Sequence, residues 1–275
     1  MPFTNYNQYL TALTNSTGVP WQLSITFYNV GFRMGYVNRN AAPTPSLAST
    51  AVAPDNTSDR AFNRFCTNAG ARRNCILGFD WNNSNTATAS NMSFLLVDVL
   101  GINGGLSGTV TGTQTTNLPT AALTRYTSGD GVYPALFIQT NIGGTATTVT
   151  VQYTNQAGTG SRNTTASVFG GAGFNTSGAL VRLGLQSGDT GCRSIESVNI
   201  VATTGLVGNF GVMLYKPLAM FLGGNAEYHT NTDCVSTGRM VGQFNEVLDN
   251  ACLGLFAVAV SGGQTPSGVI YLGEA

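Results

Sequence analysis

The chain has 275 residues, of which only 9% are charged, and 12 Lys and Arg balance 12 Asp and Glu. A typical soluble domain carries about 25% charge, so the polar surface must come from Asn, Thr, Ser, Gln and Gly; a neutral chain of this kind is a poor electrostatic ligand for nucleic acid or anionic lipid. Its surface does little to repel a copy of itself, which suits contact with neighbours in an assembly better than free diffusion at high concentration.

The length permits one large all-β domain or two smaller ones. Met1-Pro2-Phe3-Thr4-Asn5 has neither a basic nor an apolar targeting segment, so no signal peptide is expected. No run of about 18 apolar residues predicts a membrane helix. The first expected element is a short helix: Asn5 caps it, Gln8 makes a partial capping box, and Tyr6, Tyr9, Leu10 and Leu13 form one apolar stripe. Gly18 and Pro20 end it. Trp21, Leu23, Ile25 and Phe27 then alternate with Gln22, Ser24 and Thr26, the pattern of a strand. Residues 40–59, with Pro43, Pro45 and Pro54 among Ala, Ser and Thr, read as an extended arm or linker. A second short helix is expected at Arg60–Phe65, capped by Ser58 or Asp59.

From about residue 75 the pattern is strands broken by glycine turns. Ser93–Leu100 is a nearly continuous apolar run, and Val132–Gln139 another, with Pro134 marking an edge or an entry. Val149, Val151 and Tyr153 alternate with polar residues before a turn at Asn155-Gln156-Ala157-Gly158. Val198 and Ile200, then Phe210, Val212 and Leu214, continue the period of two, and Leu253–Val260 and Val269–Leu272 complete it. Short strands with turn signals every 8–12 residues or so predict an all-β fold, an antiparallel, jelly-roll-like β-sandwich with a short N-terminal helix and an extended Pro/Ala/Ser/Thr segment. The expected division is 1–59 (helix, strand and arm) and 60–275 (main β-sandwich domain).

Catalytic chemistry finds little support. The single histidine, His229, would need Asp233 and a serine, and no G-x-S-x-G elbow surrounds any serine, so it reads as a loop histidine. Of the five cysteines, Cys66, Cys75, Cys192, Cys234 and Cys252, none forms a C-x-x-C pair, and His229 with Cys234 is the nearest approach to a metal pair. Free, mostly buried thiols are expected, with Cys252 in a core strand. A Cys66–Cys75 bridge would need an oxidising medium. Asp80 beside Trp81 is the most suggestive carboxylate, but a glycosidase needs a second one. Gly101–Gly108, Gly143-Gly144 and Gly170–Gly173 lack the Lys-Ser/Thr of a phosphate loop and read as turns with positive φ. Arg60, Arg64, Arg72 and Arg73 form the one basic cluster, with Asp55 and Asp59 nearby to pair with it. No residue is assigned a catalytic, cofactor-binding or metal-binding role.

Three segments carry a resemblance: Leu95–Leu106 leading to Ala122–Val132, Thr148–Gly158, and Gly188–Val198, with Asp249–Gly254 fitting the same pattern. Together they resemble virion structural proteins of tailed bacteriophages, of the kind that decorate or cement the capsid, over roughly residues 93–260. The resemblance implies a non-enzymatic β-sandwich on the outer capsid surface, made in the host cytoplasm. Its implied partners are the major capsid protein and copies of itself, as a homo-oligomer such as a trimer, with no nucleic acid and no membrane. Residues 1–59 are expected to carry much of the contact with neighbours. The alternative reading is a head-fibre, baseplate or receptor-binding module that grips host-surface glycan, with Trp81 among the aromatics that would stack on sugar.

Overall fold

Alternation translates directly into one-sided burial. In Thr147–Asn155, Val149, Val151 and Tyr153 are buried while Thr148, Thr150 and Gln152 face outwards. Branched and aromatic side chains thus line one face of an extended chain and Thr or Gln the other. The computed structural model describes residues 17–22, 31–35, 50–55, 74–83, 92–118, 123–171, 174–222, 230–233, 246–259 and 266–274. The helices expected at Tyr6–Leu13 and Arg60–Phe65 lie outside these, and the described residues contain strands and no helix.

The strands are β1 (Thr17–Gln22), β2 (Gly31–Gly35), β3 (Asn74–Asn83), β4 (Met92–Leu106), β5 (Gly112–Leu118), β6 (Tyr133–Thr140), β7 (Thr147–Asn155), β8 (Arg162–Asn163), β9 (Ser167–Phe169), β10 (Leu180–Arg182), β11 (Cys192–Ile200), β12 (Asn209–Leu222), β13 (Thr230–Asp233), β14 (Glu246–Val247), β15 (Leu253–Ala259) and β16 (Pro266–Glu274). They form three antiparallel sheets. A central sheet runs β10-β6-β12-β4-β15-β2. One flanking sheet runs β1-β16-β3-β13, with β14 also on β3. The other runs β5-β11-β7-β8, with β9 also on β7.

β4 and β12 are long enough to carry two cores in series on one face. At one end Phe94, Leu96, Phe221, Leu253 and Leu255 pack on Ile76, Phe79, Ile270 and Leu272 of the first flanking sheet. Phe79 stacks on Phe221 with centroids 4.2 Å apart. At the other end Leu100, Leu136, Ile138, Phe210, Val212 and Leu214 meet Val149, Val151, Tyr153, Ile195, Val198 and Ile200 of the second. The opposite face of the central sheet holds a third core: Val97, Val99, Phe137, Leu180, Met213, Tyr215 and Phe256. Among the described residues no flanking sheet covers it. The edge strands β10 and β2 come together instead, so the sheet curls around its own apolar face. Tyr215 meets Phe256 edge-to-face inside the curl, at 4.9 Å. The β-sandwich of the sequence reading is therefore a curled sheet faced by two others.

Residues near the N-terminus enter these sheets. β1 pairs with β16 and β2 with β15, and Val52 exchanges two backbone hydrogen bonds of 2.9 Å with Ile102. One expectation is corrected. Gly101–Gly108 is not a turn: β4 runs through most of it, and within it only Gly105 has positive φ, at 77°. Gly101 lets Leu118 of the facing sheet pack close: a Cβ there would stand 2.9 Å from its Cδ1 and push that side chain aside.

Between the two series cores, on the same face of β4, sits the fully buried Asp98. Nε and Nη2 of Arg125 donate to its two carboxylate oxygens, both at 2.9 Å, and the N–H of Cys252 donates to Oδ1 at 2.9 Å. Nη2 of Arg125 also reaches the carbonyls of Pro54 and Val99, each at 2.9 Å. Burial pushes the Asp98 carboxyl above its ordinary value, and the Arg125 guanidinium and Cys252 N–H pull against it. Removing one partner strands the other charge in the interior, which costs about 3–5 kcal/mol. Arg125→Met is expected to lose about that much stability in urea unfolding, and the double variant Asp98→Leu/Arg125→Met distinctly less.

Candidate functional site

The segments Thr148–Gly158 and Gly188–Val198, and the second part of Ala122–Val132, are far apart in sequence and meet at one end of the second flanking sheet. The turn after β7 (155–160), the loop before β11 (186–191) and the loop before β6 (126–131) interlock there. Oε1 of Gln156 accepts the N–H groups of Thr190 and Gly191 at 3.1 and 3.2 Å, and the Gln156 N–H donates to the Gly191 carbonyl at 3.1 Å. The Gly131 N–H donates to the Thr190 carbonyl at 2.9 Å, the Cys192 N–H to the Gly129 carbonyl at 3.0 Å, and the Thr190 hydroxyl to Asp130 at 2.6 Å. The loops touch backbone to backbone: a Cβ on Gly191 would fall 1.9 Å from the Gly129 carbonyl oxygen, and Gly129 itself has φ 71°.

Asp189 is the centre of this cluster. It accepts from the Tyr153 hydroxyl at 2.5 Å, Nδ2 of Asn155 at 2.8 Å, and Nε and Nη2 of Arg162 at 3.0 and 3.1 Å. The Gln186 N–H in turn donates to the Tyr153 oxygen at 2.9 Å. The bonds from Arg162 first, then those from Tyr153 and Asn155, hold the Asp189 carboxyl down to about 2. Burial first, and the Asp189 carboxylate second, push the Tyr153 phenol up to about 12. With its lone pairs occupied, Asp189 ties the loop before β11 to β7 and β8 and is unsuited to act as a base or nucleophile.

Around it, Nζ of Lys216 donates to the Asp130 carbonyl at 2.9 Å and lies 5.5 Å from the centre of the Tyr126 ring, while Nε of Arg193 holds the Ser128 carbonyl at 3.1 Å. Oε1 of Glu196 accepts hydroxyls from Thr154 and Ser194 at 2.6 and 2.8 Å. Burial raises the Cys192 thiol, and the nearby Glu196 carboxylate adds to that, so the sulfur is not a poised thiolate. What the cluster presents outwards is a fixed rim of Thr127, Ser128, Asp130, Thr159, Thr190 and Arg193, all exposed. Pre-ordered polar loops of this kind lose little conformational freedom when they dock.

The opposite end of the same sheet is built differently. Thr204, fully buried, donates its N–H and hydroxyl to the Gly108 carbonyl at 2.8 and 3.0 Å. Its Oγ1 accepts the Gly143 N–H at 3.0 Å and its carbonyl accepts the Thr145 N–H at 3.1 Å. Gly143 is required by proximity, not by a turn: a Cβ there would lie 1.6 Å from the Thr204 carbonyl oxygen. Gly170 and Gly171 do take positive φ, 73° and 72°, as expected of turn glycines. The loops that Thr204 joins hold four aliphatic side chains in solvent: Val110, Val201, Leu206 and Val207.

Of the residues singled out in the sequence, His229, Cys66, Cys234, Arg60, Arg64, Arg72 and Arg73 lie outside the described residues. Asp80 and Trp81 are on β3 opposite Asn231 and Thr230, and Asp233 is opposite Gly78, so Asp80 and Asp233 occupy neighbouring strands two residues apart in register. Among the described residues no three His, Cys, Asp or Glu side chains gather as a metal site. Cys192 and Cys252 are buried free thiols, and burial pushes that of Cys252 up to about 12. The Asp98–Arg125 and Asp189–Arg162 pairs went unread in the sequence. The signal for the first was present, a lone acid inside the apolar run Phe94–Leu100.

No family model matches the chain, and no curated protein matches it. Among solved structures it is similar to the VP2 subviral particle of infectious bursal disease virus, at 11% identity over 95% of this chain and 82% of that one, with a TM-score of 0.18. It is also similar to the T=1 particles derived from that virus, at 10% identity over 94% and 77%, with a TM-score of 0.19. Likeness at these TM-scores fixes neither fold nor function.

Two substitutions test this geometry. Asp189 has a folded-state value below its unfolded value of about 3.9, so its contribution is complete above that pH and is lost as pH falls towards 2. Urea midpoints between pH 5 and 2 or so should show an acid limb in the wild type that Asp189→Asn flattens. Thr204→Val leaves the buried Gly143 N–H without its acceptor and should cost about 1–3 kcal/mol by the same measurement.

Proposed function

We propose that this chain is a non-enzymatic structural protein of a tailed-phage virion, bound to the outer surface of the capsid. There it contacts the major capsid protein and copies of itself and opposes expansion of the shell. One observation carries the reading: Thr148–Gly158, Gly188–Val198 and the later part of Ala122–Val132, among the segments that bear the resemblance, meet in one exposed loop cluster interlocked by backbone hydrogen bonds and by Asp189. The composition supports it independently, because a surface with few charges loses little on desolvation at each of many contacts. Synthesis in the host cytoplasm agrees with the two buried free thiols. The glycan-binding alternative rests on Trp81, whose side chain lies outside the described residues.

The test is co-sedimentation with expanded, undecorated capsid shells of the parent phage. The protein is expected to pellet with them and to saturate at a fixed number of copies per capsomer. Thr127→Arg/Thr159→Arg on the loop rim should weaken that binding about tenfold, or 1.4 kcal/mol, while leaving the melting temperature unchanged. A protein that stays in the supernatant at every concentration contradicts the reading.

A further inference from the structure

An edge strand offers unpaired N–H and C=O groups to any extended chain, and folded proteins guard such edges with charge, proline or shortness. The edges of these sheets follow that rule, with one departure. β1 carries Pro20, β13 Asp233, β2 Arg33, β10 Arg182 and β8 Arg162. β14 and β9 are only 2 and 3 residues long. β5, with the sequence GTQTTNL, is 7 residues long, has neither charge nor proline, and among the described residues is paired on one side only, by β11.

Its surroundings share that neutrality. Gly112 of β5 pairs with Ile200, and just beyond this pair stand Val110 and Val201, with Leu206 and Val207 on the adjoining loop, 47–69% exposed. No charged residue occurs between Asp98 and Arg125, or between Glu196 and Lys216, the two stretches that build this edge and tip. The strand is also held ready. Gln114 folds back on the turn before it, its Nε2 donating to the Ser107 carbonyl at 3.0 Å and its Oε1 accepting the Ser107 N–H at 2.9 Å. Thr113 and Thr115 point into solvent.

We propose that β5 pairs edge to edge with β5 of a second copy of this chain, antiparallel about a twofold axis, so that two flanking sheets become one continuous sheet. The occupant follows from charge and symmetry. A neutral edge offers no counter-charge to a charged peptide, whereas a second neutral, β-branched edge meets it without repulsion. Twofold antiparallel pairing also matches each outward N–H of one strand to a carbonyl of the other. The two exposed threonines of each copy then lie beside those of its partner, and each aliphatic tip is carried to the far end of the partner strand. The inference rests on the reading above that the chain assembles with copies of itself.

The experiment is sedimentation velocity on the full chain across a concentration series. It compares the wild type, Thr113→Lys/Thr115→Lys, Thr113→Glu/Thr115→Glu, and an equimolar mixture of the two variants. The wild type is expected to self-associate. Each variant alone should dissociate at least about tenfold more readily, since like charges directly opposite repel, with unchanged circular dichroism and melting temperature. The mixture should recover association through Lys–Glu pairing. A wild type that is monomeric up to its solubility limit, an assembly indifferent to the lysine pair, or a mixture that does not recover association overturns the proposal. Loss of shell binding with this pattern intact counts against the capsid reading alone, and the reverse against β5 pairing alone.

Discussion

The Asp98–Arg125 pair lies where the fold has least choice. β4 carries two apolar cores in series on one face, and the point between them must be filled by something that joins the pieces around it. A carboxylate buried without compensation would be prohibitive there. With both oxygens occupied by a guanidinium and a backbone N–H, it ties β4, the start of β15, the 50–55 segment and the loop before β6 to one point. An apolar pair of equal volume would fill the space and could match the stability, but it would give none of these four segments a directional bond.

Electrostatics divides the second flanking sheet along its length. The charged groups gather at one end, where Asp130, Arg162, Asp189, Arg193, Glu196 and Lys216 are engaged by neighbouring carbonyls, hydroxyls or each other. The other end is organised around a buried hydroxyl, that of Thr204, and shows only neutral and aliphatic groups to solvent. One sheet thus offers a polar rim fixed by one ion pair and by bonds to carbonyls and hydroxyls, and a neutral edge fixed by backbone contacts.

Much of the strand content was legible because period-two burial is local. Ser93–Leu100, Thr148–Tyr153, Phe210–Leu214 and Val269–Leu272 fall within observed strands, as does Val132–Gln139 but for Val132, which precedes β6. Their lengths were harder to read. β4 continues through Gly101 and Gly104, and β12 through Pro217, residues that usually mark ends. Leu118 packs close against Gly101, and a register shift next to Pro217 accommodates the missing N–H. The polar locks were less legible still. Asp189 is joined to Tyr153, Asn155 and Arg162 from 27 to 36 residues away, and no local pattern encodes a partner at that distance. The three-sheet architecture was out of reach for the same reason, since the curl of the central sheet depends on β2 meeting β10.

The proposed function has this protein act by contact on the outside of a virion shell. A cryo-electron microscopy reconstruction of expanded phage shells incubated with the protein tests it most directly. Added density is expected at symmetric positions on the outer surface, into which the three-sheet fold fits with the Asp189 loop rim turned towards a neighbour. A shell without added density, or density confined to the tail or to the inner surface, would contradict it.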